Sequence, residues 1–509
     1  MNNPGTRYAL ANPVLWGAFF AYLLISGLTL AHHEMWGDEI HSWNIAKASG
    51  SFFELISNTR YEGHPPLWYV VLWSISKFTH DPGYVQVVHL FIACLVIFLV
   101  LFYSPFPFLW KMLIPFGYFF LFEYSIISRN YSMAVLFTFL ACLVIQKKFR
   151  GKRLLFSLLF FLLSNTHLMG LLLAAGLLFY YLLIEFEQKK KPASVLIPLF
   201  TGIIILLPSA WFIYPPPDSS LNTDYWIERW NMQQLSSVAQ APLRAFVSLP
   251  AWWQYHCWDT QFLLEAQPDV KILKWLNPFL SLLVLIMAFA ILRKNKKSLL
   301  FFLFALFLFF IVSVFLPFTN ARHAGFIFIS ILAALWFYCA ENKPNRNQHL
   351  FVIAVLGMQI IAGLFMVVKD MRLPFSNASQ VKTLLKKIPS GEKIVTDYWC
   401  LNNLAAFTGK AWYCTDLQRE ASFLLWNSEM AAMLQRKNRY SDGINAFLKK
   451  EPAEKVYMLS IHPPERLNRL DDRLTALFEV KLQDKKDDAM EKGGNLYLYE
   501  ISSKKIHQP

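Results

Sequence analysis

The 509-residue chain is 55% hydrophobic, 17% aromatic and only 16% charged, which excludes a single soluble domain; its apolar residues fall in repeated long runs, as in polytopic membrane proteins. The net charge of +14 sits in short Lys/Arg clusters between those runs, where orientation signals lie, and this argues against a nucleic-acid partner. None of the cysteines has metal-binding spacing: Cys94, Cys142 and Cys339 lie in apolar runs, and Cys400 and Cys414 would pair only in an oxidising compartment, the alternative being two unpaired side chains.

A helix needs roughly 20 apolar residues to cross a bilayer. The first run, Val14 to Ala31, lacks a small-residue cleavage site and reads as a signal anchor. The basic clusters are Arg7, Lys111, Lys147 to Arg153, Lys189 to Lys191, Arg293 to Lys297, and Lys343 with Arg346. Placing all of them in the cytoplasm predicts spans at 13–31, 84–103, 110–128, 131–146, 154–166, 168–184, 194–213, 275–292, 298–316, 322–340 and 349–369. That is a polytopic α-helical protein of about 11 crossings, with the N-terminus inside and the C-terminus outside.

Residues 32–83 then form a first extracytoplasmic loop. Its segments Ser42 to Ser57 and Pro65 to Thr79 are too short to span and read as helices lying in the outer interface. A second loop, 214–274, carries Asp218, Asp224, Glu228, Arg229 and several tryptophans suited to interfacial anchoring or ring stacking. The membrane domain ends near residue 373, and 374–509 has the composition of a small soluble α/β domain. Helices are predicted there at Ser379 to Ile388 and Ile444 to Lys450, with strands at Lys393 to Asp397, Lys455 to Ser460, Ala476 to Leu482 and Leu496 to Ile501. This domain shows no Gly-rich phosphate loop, nucleophile elbow or zinc spacing.

The chemistry-bearing residues concentrate between Met35 and Tyr69, where Asp38, Glu39, His41, Glu62 and His64 stand among aromatic rings. Clustered ionisable groups at a bilayer surface are costly and point to function more than to packing. Asp38 and Glu39 lie just past the first span, at a depth where a carboxylate accepts a proton from an incoming hydroxyl or helps hold a divalent cation; solvated loop acids are the alternative. In Glu62-Gly63-His64-Pro65-Pro66 a carboxylate and an imidazole sit at a turn whose backbone the prolines fix. Arg129 and Arg322 fall at outer ends of spans, where the planar guanidinium suits a phosphate, although snorkelling to lipid headgroups also explains them. His323 follows Arg322 directly, and His167 sits at a neighbouring outer turn.

The order of a first span, Asp38-Glu39, interfacial helices and His64-Pro65-Pro66-Leu67 resembles the protein O-mannosyltransferases and lipid A aminoarabinose transferases of glycosyltransferase family 39, in the GT-C superfamily. The likeness covers roughly residues 10–370 and is strongest over 34–69. It implies an inverting enzyme of the bacterial inner membrane that moves a sugar from a polyprenyl phosphate to a lipid, glycan or protein acceptor at the outer face. The first acid of the pair, Asp38, is then the expected base, with Glu39 beside it. His64, Glu62, Arg129, Arg322, His323 and His167 are the expected donor-phosphate and substrate contacts, and Glu39, Glu62 and His64 would be the ligands of any divalent metal. Two departures leave the donor sugar and a metal requirement open: His89 stands where relatives often carry Arg, and the turn Glu123 to Tyr131 lacks an Asp that many relatives have. The rival readings are an O-antigen ligase or polymerase, with its key residues in a late loop, and a lipid or glycan transporter. The absence of an internal repeat weighs against the transporter.

Overall fold

The computed structural model describes residues 8–147, 149–188, 192–220, 232–265, 271–316 and 319–504; Arg7, Lys148, Lys189 to Lys191, Asp224, Glu228, Arg229 and Pro317 lie outside the described residues. Seven helices among these are long and apolar enough to cross a membrane. They are α1 (Pro13–His32), α5 (Gly83–Phe98, continued by a π turn to Tyr103), α9 (Leu168–Glu187), α10 (Ala193–Ile213), α14 (Lys296–Phe315), α15 (Ala321–Glu341) and α16 (Arg346–Asp370). Three other predicted spans are helices of fewer apolar residues, α7 (Tyr131–Gln146), α8 (Lys152–Ser164) and α13 (Lys271–Leu292), the last preceded by α11 (Met232–Phe246) and α12 (Phe262–Glu265).

The predicted span 110–128 is not one helix. It breaks into α6 (Phe108–Leu113), a 3₁₀ turn (Ile114–Phe116) and a π turn (Phe119–Glu123). Pro115 cannot donate to the helical ladder, and Gly117 turns to extended backbone at its end. In the first predicted loop, α2 (Gly37–Ala48) starts earlier than expected, and Ser49-Gly50-Ser51 separates it from α3 (Phe52–Thr59), so 42–57 is two helices. Gly63 takes a φ of 64°, a left-handed turn that only glycine adopts without strain, and leads through Pro65-Pro66 into α4 (Leu67–Ser76).

Helix α15 is the strut of the bundle, buried on nearly every side from Ala321 to Tyr338. At Gly325 a side chain would overlap Tyr124 and Phe119, so the absence of a Cβ lets the π turn lie directly against α15. The Tyr124 hydroxyl then donates 2.7 Å to the carbonyl of Arg322.

The C-terminal domain is a six-stranded mixed sheet in the order β3-β2-β1-β4-β6-β5. Its strands are β1 (Lys393–Thr396), β2 (Trp412–Cys414), β3 (Arg419–Ala421), β4 (Lys455–Ser460), β5 (Phe478–Lys486) and β6 (Leu496–Ser503). Strand β4 buries Val456 and Met458 on one face and Tyr457 and Leu459 on the other, as a strand covered on both sides must. The helices α17 (Val381–Leu385), α18 (Tyr398–Thr408), α19 (Ser428–Gln435) and α20 (Arg439–Lys450) accompany it. Cys400 and Cys414 are buried free thiols, not a disulfide.

This domain is docked on the membrane part rather than tethered to it. The Asn44 amide donates 2.8 Å to the Asn402 carbonyl, and Ser379 Oγ donates 2.7 Å to Glu34. Phe375, fully buried, packs against His33 and Trp258. A buried ion-pair chain joins the two ends of the membrane region. His33 Nδ1 stands 3.0 Å from Asp370, at the end of α16, and its Nε2 stands 3.5 Å from Glu39.

Candidate active site

Asp38 occupies the first turn of α2, where the helix N-terminus favours a negative charge. One of its carboxylate oxygens lies 3.9 Å from Arg129 and 3.8 Å from Arg322, and the side chain remains 42% exposed. These are loose pairings, so the carboxylate is held charged without being capped. Withdrawal from bulk water would raise its pKa, but Arg129 and Arg322, with His41 behind them, hold it below the usual carboxylate range.

The two arginines are positioned differently. Arg129 is anchored, donating 2.6 Å to the Asp38 carbonyl and 3.1 Å to Ser42 Oγ. Arg322 sits near the rings of Trp36 and Trp258, 5.3 and 5.8 Å from their centroids, and its Nε has no hydrogen-bond partner among the described residues. Asp259, in a left-handed conformation at φ 60°, accepts 2.7 Å from the Ala321 amide and so caps the turn that carries Arg322. Glu123 accepts 2.6 Å from Tyr118 and 3.2 Å from Trp258, fixing the second of those rings.

The remaining predicted residues divide by role. Glu39 faces away from the opening: it accepts from the backbone amides of Trp36 and Ser128 and pairs with His33. It is a structural carboxylate, not a partner to Asp38 in proton transfer. Glu62 is bound to His41, 3.0 Å away, and accepts 3.0 Å from Tyr69. Burial would lower the His41 pKa, but Glu62 raises it above the ordinary imidazole value and so favours the cation beside Asp38. His64 is pushed down to about 4 by burial and then by Arg129, so it is neutral and brings hydrogen bonding but no charge. His167 is likewise held neutral by burial; its Nδ1 accepts 3.2 Å from Gly170 at the start of α9, and its ring packs on Tyr131. Tyr131 in turn meets His323 Nε2 at 3.3 Å. The suggested metal ligands Glu39, Glu62 and His64 do not converge, and no metal-holding group of three or more His, Cys, Asp or Glu occurs among the described residues. His89, fully buried, meets the Ser125 carbonyl through Nδ1 and packs edge-on against Trp68.

A cavity of about 220 Å³ opens at Asp38 and His41. Its far wall comes from the C-terminal domain and includes Trp399, Asn403, Trp426 and Glu491. None of these four stands out in the sequence, because each reaches the site only through the docking of the two parts. Neither a protein-family model nor a curated protein matches the chain. The site is therefore read from its own geometry: one exposed carboxylate, two guanidiniums within about 4 Å of it, three histidines behind them, and a walled cavity. A larger cavity of about 280 Å³ beside β3 holds the Arg419–Glu429 pair and no comparable group of catalytic type.

Proposed function

We propose that this protein is an inverting, membrane-embedded glycosyltransferase that uses a polyprenyl-phosphate sugar donor, as the resemblance to family 39 implies. The observation that carries this reading is the sharing of one ionised, solvent-reachable carboxylate between two arginines. Arg322 and Arg129 bind the donor phosphate, for which a planar fork of donors is suited. The acceptor hydroxyl gives its proton to Asp38 as its oxygen attacks the anomeric carbon. The bond from that carbon to the phosphate oxygen breaks, and its electron pair leaves with the lipid phosphate. A lipid phosphate is a good leaving group, so no separate general acid is needed.

The lowered pKa of Asp38 has a consequence for order. While the arginines neutralise it, the carboxylate is a weak base; a phosphate that draws their charge to itself raises its basicity. Donor binding thus prepares the base for the acceptor. The acid limb of the rate profile is expected to lie below the usual carboxylate range for the free enzyme and to move up in the donor complex.

Arg322→Ala is expected to weaken binding of polyprenyl phosphate by about 10- to 100-fold, the worth of one charge-assisted contact. The measurement is lipid binding to purified protein, and an unchanged affinity would remove Arg322 from the donor site. With the basic clusters read as cytoplasmic, the site lies on the outer side, which the family 39 resemblance makes the periplasmic side of a bacterial inner membrane. A cysteine introduced at exposed Asp81 or Glu420 should react with an impermeant reagent from outside, and one at exposed Lys294 should not. Five of the native cysteines are buried, which keeps the background low. External labelling at Lys294 would overturn the orientation.

A further inference from the structure

The cavity wall opposite Asp38 has no part in the transfer step as described. It is formed at the carboxyl ends of β1 and β4. Strand β1 pairs in parallel with β2 on one side and with β4 on the other. Chain connections therefore run in opposite directions around β1, and the crevice outside such a reversal is where open α/β sheets take ligands. Helix α18 begins immediately after β1 and projects Trp399 and Asn403 into that crevice, and the docking of the two parts sets it directly over Asp38.

Two features point to an occupant. The first is Asn403, only 6% exposed, whose amide lines the cavity and makes no side-chain hydrogen bond with any described residue. Left open to the cavity, this amide offers two donors and an acceptor, which a ligand rich in hydroxyls would take up. The second is the half-buried pair Trp399 and Trp426, with ring centroids 6.1 Å apart at 51°. Indole faces take apolar C–H surface, and Glu491 offers a further acceptor on the same wall. A ligand with an apolar face and a hydroxyl rim is a pyranose. At about 220 Å³ the cavity is below the ~300–1,000 Å³ of drug-sized sites, which fits one ring rather than an extended segment. A peptide adding as a strand would need a sheet edge to pair with, and here strand ends face Asp38.

Building on the glycosyltransferase reading, we propose that this crevice is the acceptor subsite and that the acceptor is a glycan. Its terminal pyranose lies against Trp399 and Trp426, bonds to Asn403 and Glu491, and presents one hydroxyl to Asp38. That hydroxyl loses its proton to Asp38, its oxygen joins the donor's anomeric carbon, and the lipid phosphate departs with the electron pair.

The test is saturation-transfer NMR on the full-length protein in lipid nanodiscs. The probes are the methyl glycopyranosides of mannose, glucose, galactose and N-acetylglucosamine, with a Ser/Thr peptide as the rival class. At least one glycoside should bind, and Asn403→Ala and Trp399→Ala should each weaken it by about tenfold, the loss of a hydrogen bond or a stacked face. Binding of polyprenyl phosphate should be unchanged in both variants. If Trp399→Ala does not fold, Asn403→Ala decides alone, since it deletes only an unpartnered amide. Binding of the peptide alone, no glycoside binding, or glycoside binding indifferent to Asn403→Ala would overturn the subsite. Failure of the wild-type protein to bind polyprenyl phosphate would instead sink the glycosyltransferase reading, whatever the glycosides do.

Discussion

Asp38→Asn is expected to lower sugar transfer by on the order of 10²-fold or more, the usual cost of removing a general base, while donor-lipid binding survives or tightens. The substitution keeps the shape of the side chain and removes its charge together with its ability to take a proton. Arg129 stays in place because it also bonds the Asp38 carbonyl and Ser42. Arg322 loses an anionic neighbour and gains nothing in exchange, so a phosphate meets two guanidiniums with no competing charge. The measurement is turnover of a labelled polyprenyl-phosphate sugar beside lipid binding to the same preparation. Near-normal turnover would remove Asp38 as the base. Glu39 and Glu62 could not easily replace it, being engaged with His33 and His41, which leaves Glu491 as the next carboxylate on the cavity.

The second large effect is on stability and comes from His33. Its ring is fully buried between Asp370 and Glu39, and removing one member of a buried ion-pair set costs about 3–5 kcal/mol because the others are left uncompensated. His33→Ala is therefore expected to lower the thermal midpoint markedly. A pH dependence accompanies it. Burial alone would depress this imidazole, yet Asp370 and Glu39 raise it to about 10 from a model-peptide value of 6.5. A raised pKa means that the stabilisation is complete below pH 6.5 and is lost as pH climbs through about 10. The wild-type midpoint should fall across that interval, and the variant should lack that component of the fall. Parallel melting curves for the two proteins would show that the pairing contributes nothing.

The long apolar helices and the polar residues at their ends are readable in the sequence because both depend on local pattern. Asp38, Arg129 and Arg322 were found from their position beside apolar runs, and the structure brings all three together. The segment 110–128 misled because its hydropathy is continuous while Pro115 and Gly117 interrupt the backbone. Strands β2 and β3 escaped notice because three residues are too few to display alternation. Helix α18 was missed, although its N-cap Asp397 accepts from Cys400 at 2.7 Å, because its buried residues face two sides and leave little periodic pattern. The role of Glu39 was hidden for a different reason. It is set by His33, which is itself fixed by Asp370 337 positions away along the chain.

The burial of α15 on nearly every side leaves the backbone that carries Arg322 without local freedom. The helix has no slack: its first turn is held by Asp259 and Tyr124, and its second abuts the π turn at Gly325. The opposite wall of the cavity is carried by a segment after residue 374 that packs as its own sheet. Drift in that segment can reshape one side of the cavity without disturbing the other, so on the proposed glycosyltransferase reading a lineage could retune its acceptor while inheriting its donor chemistry unchanged.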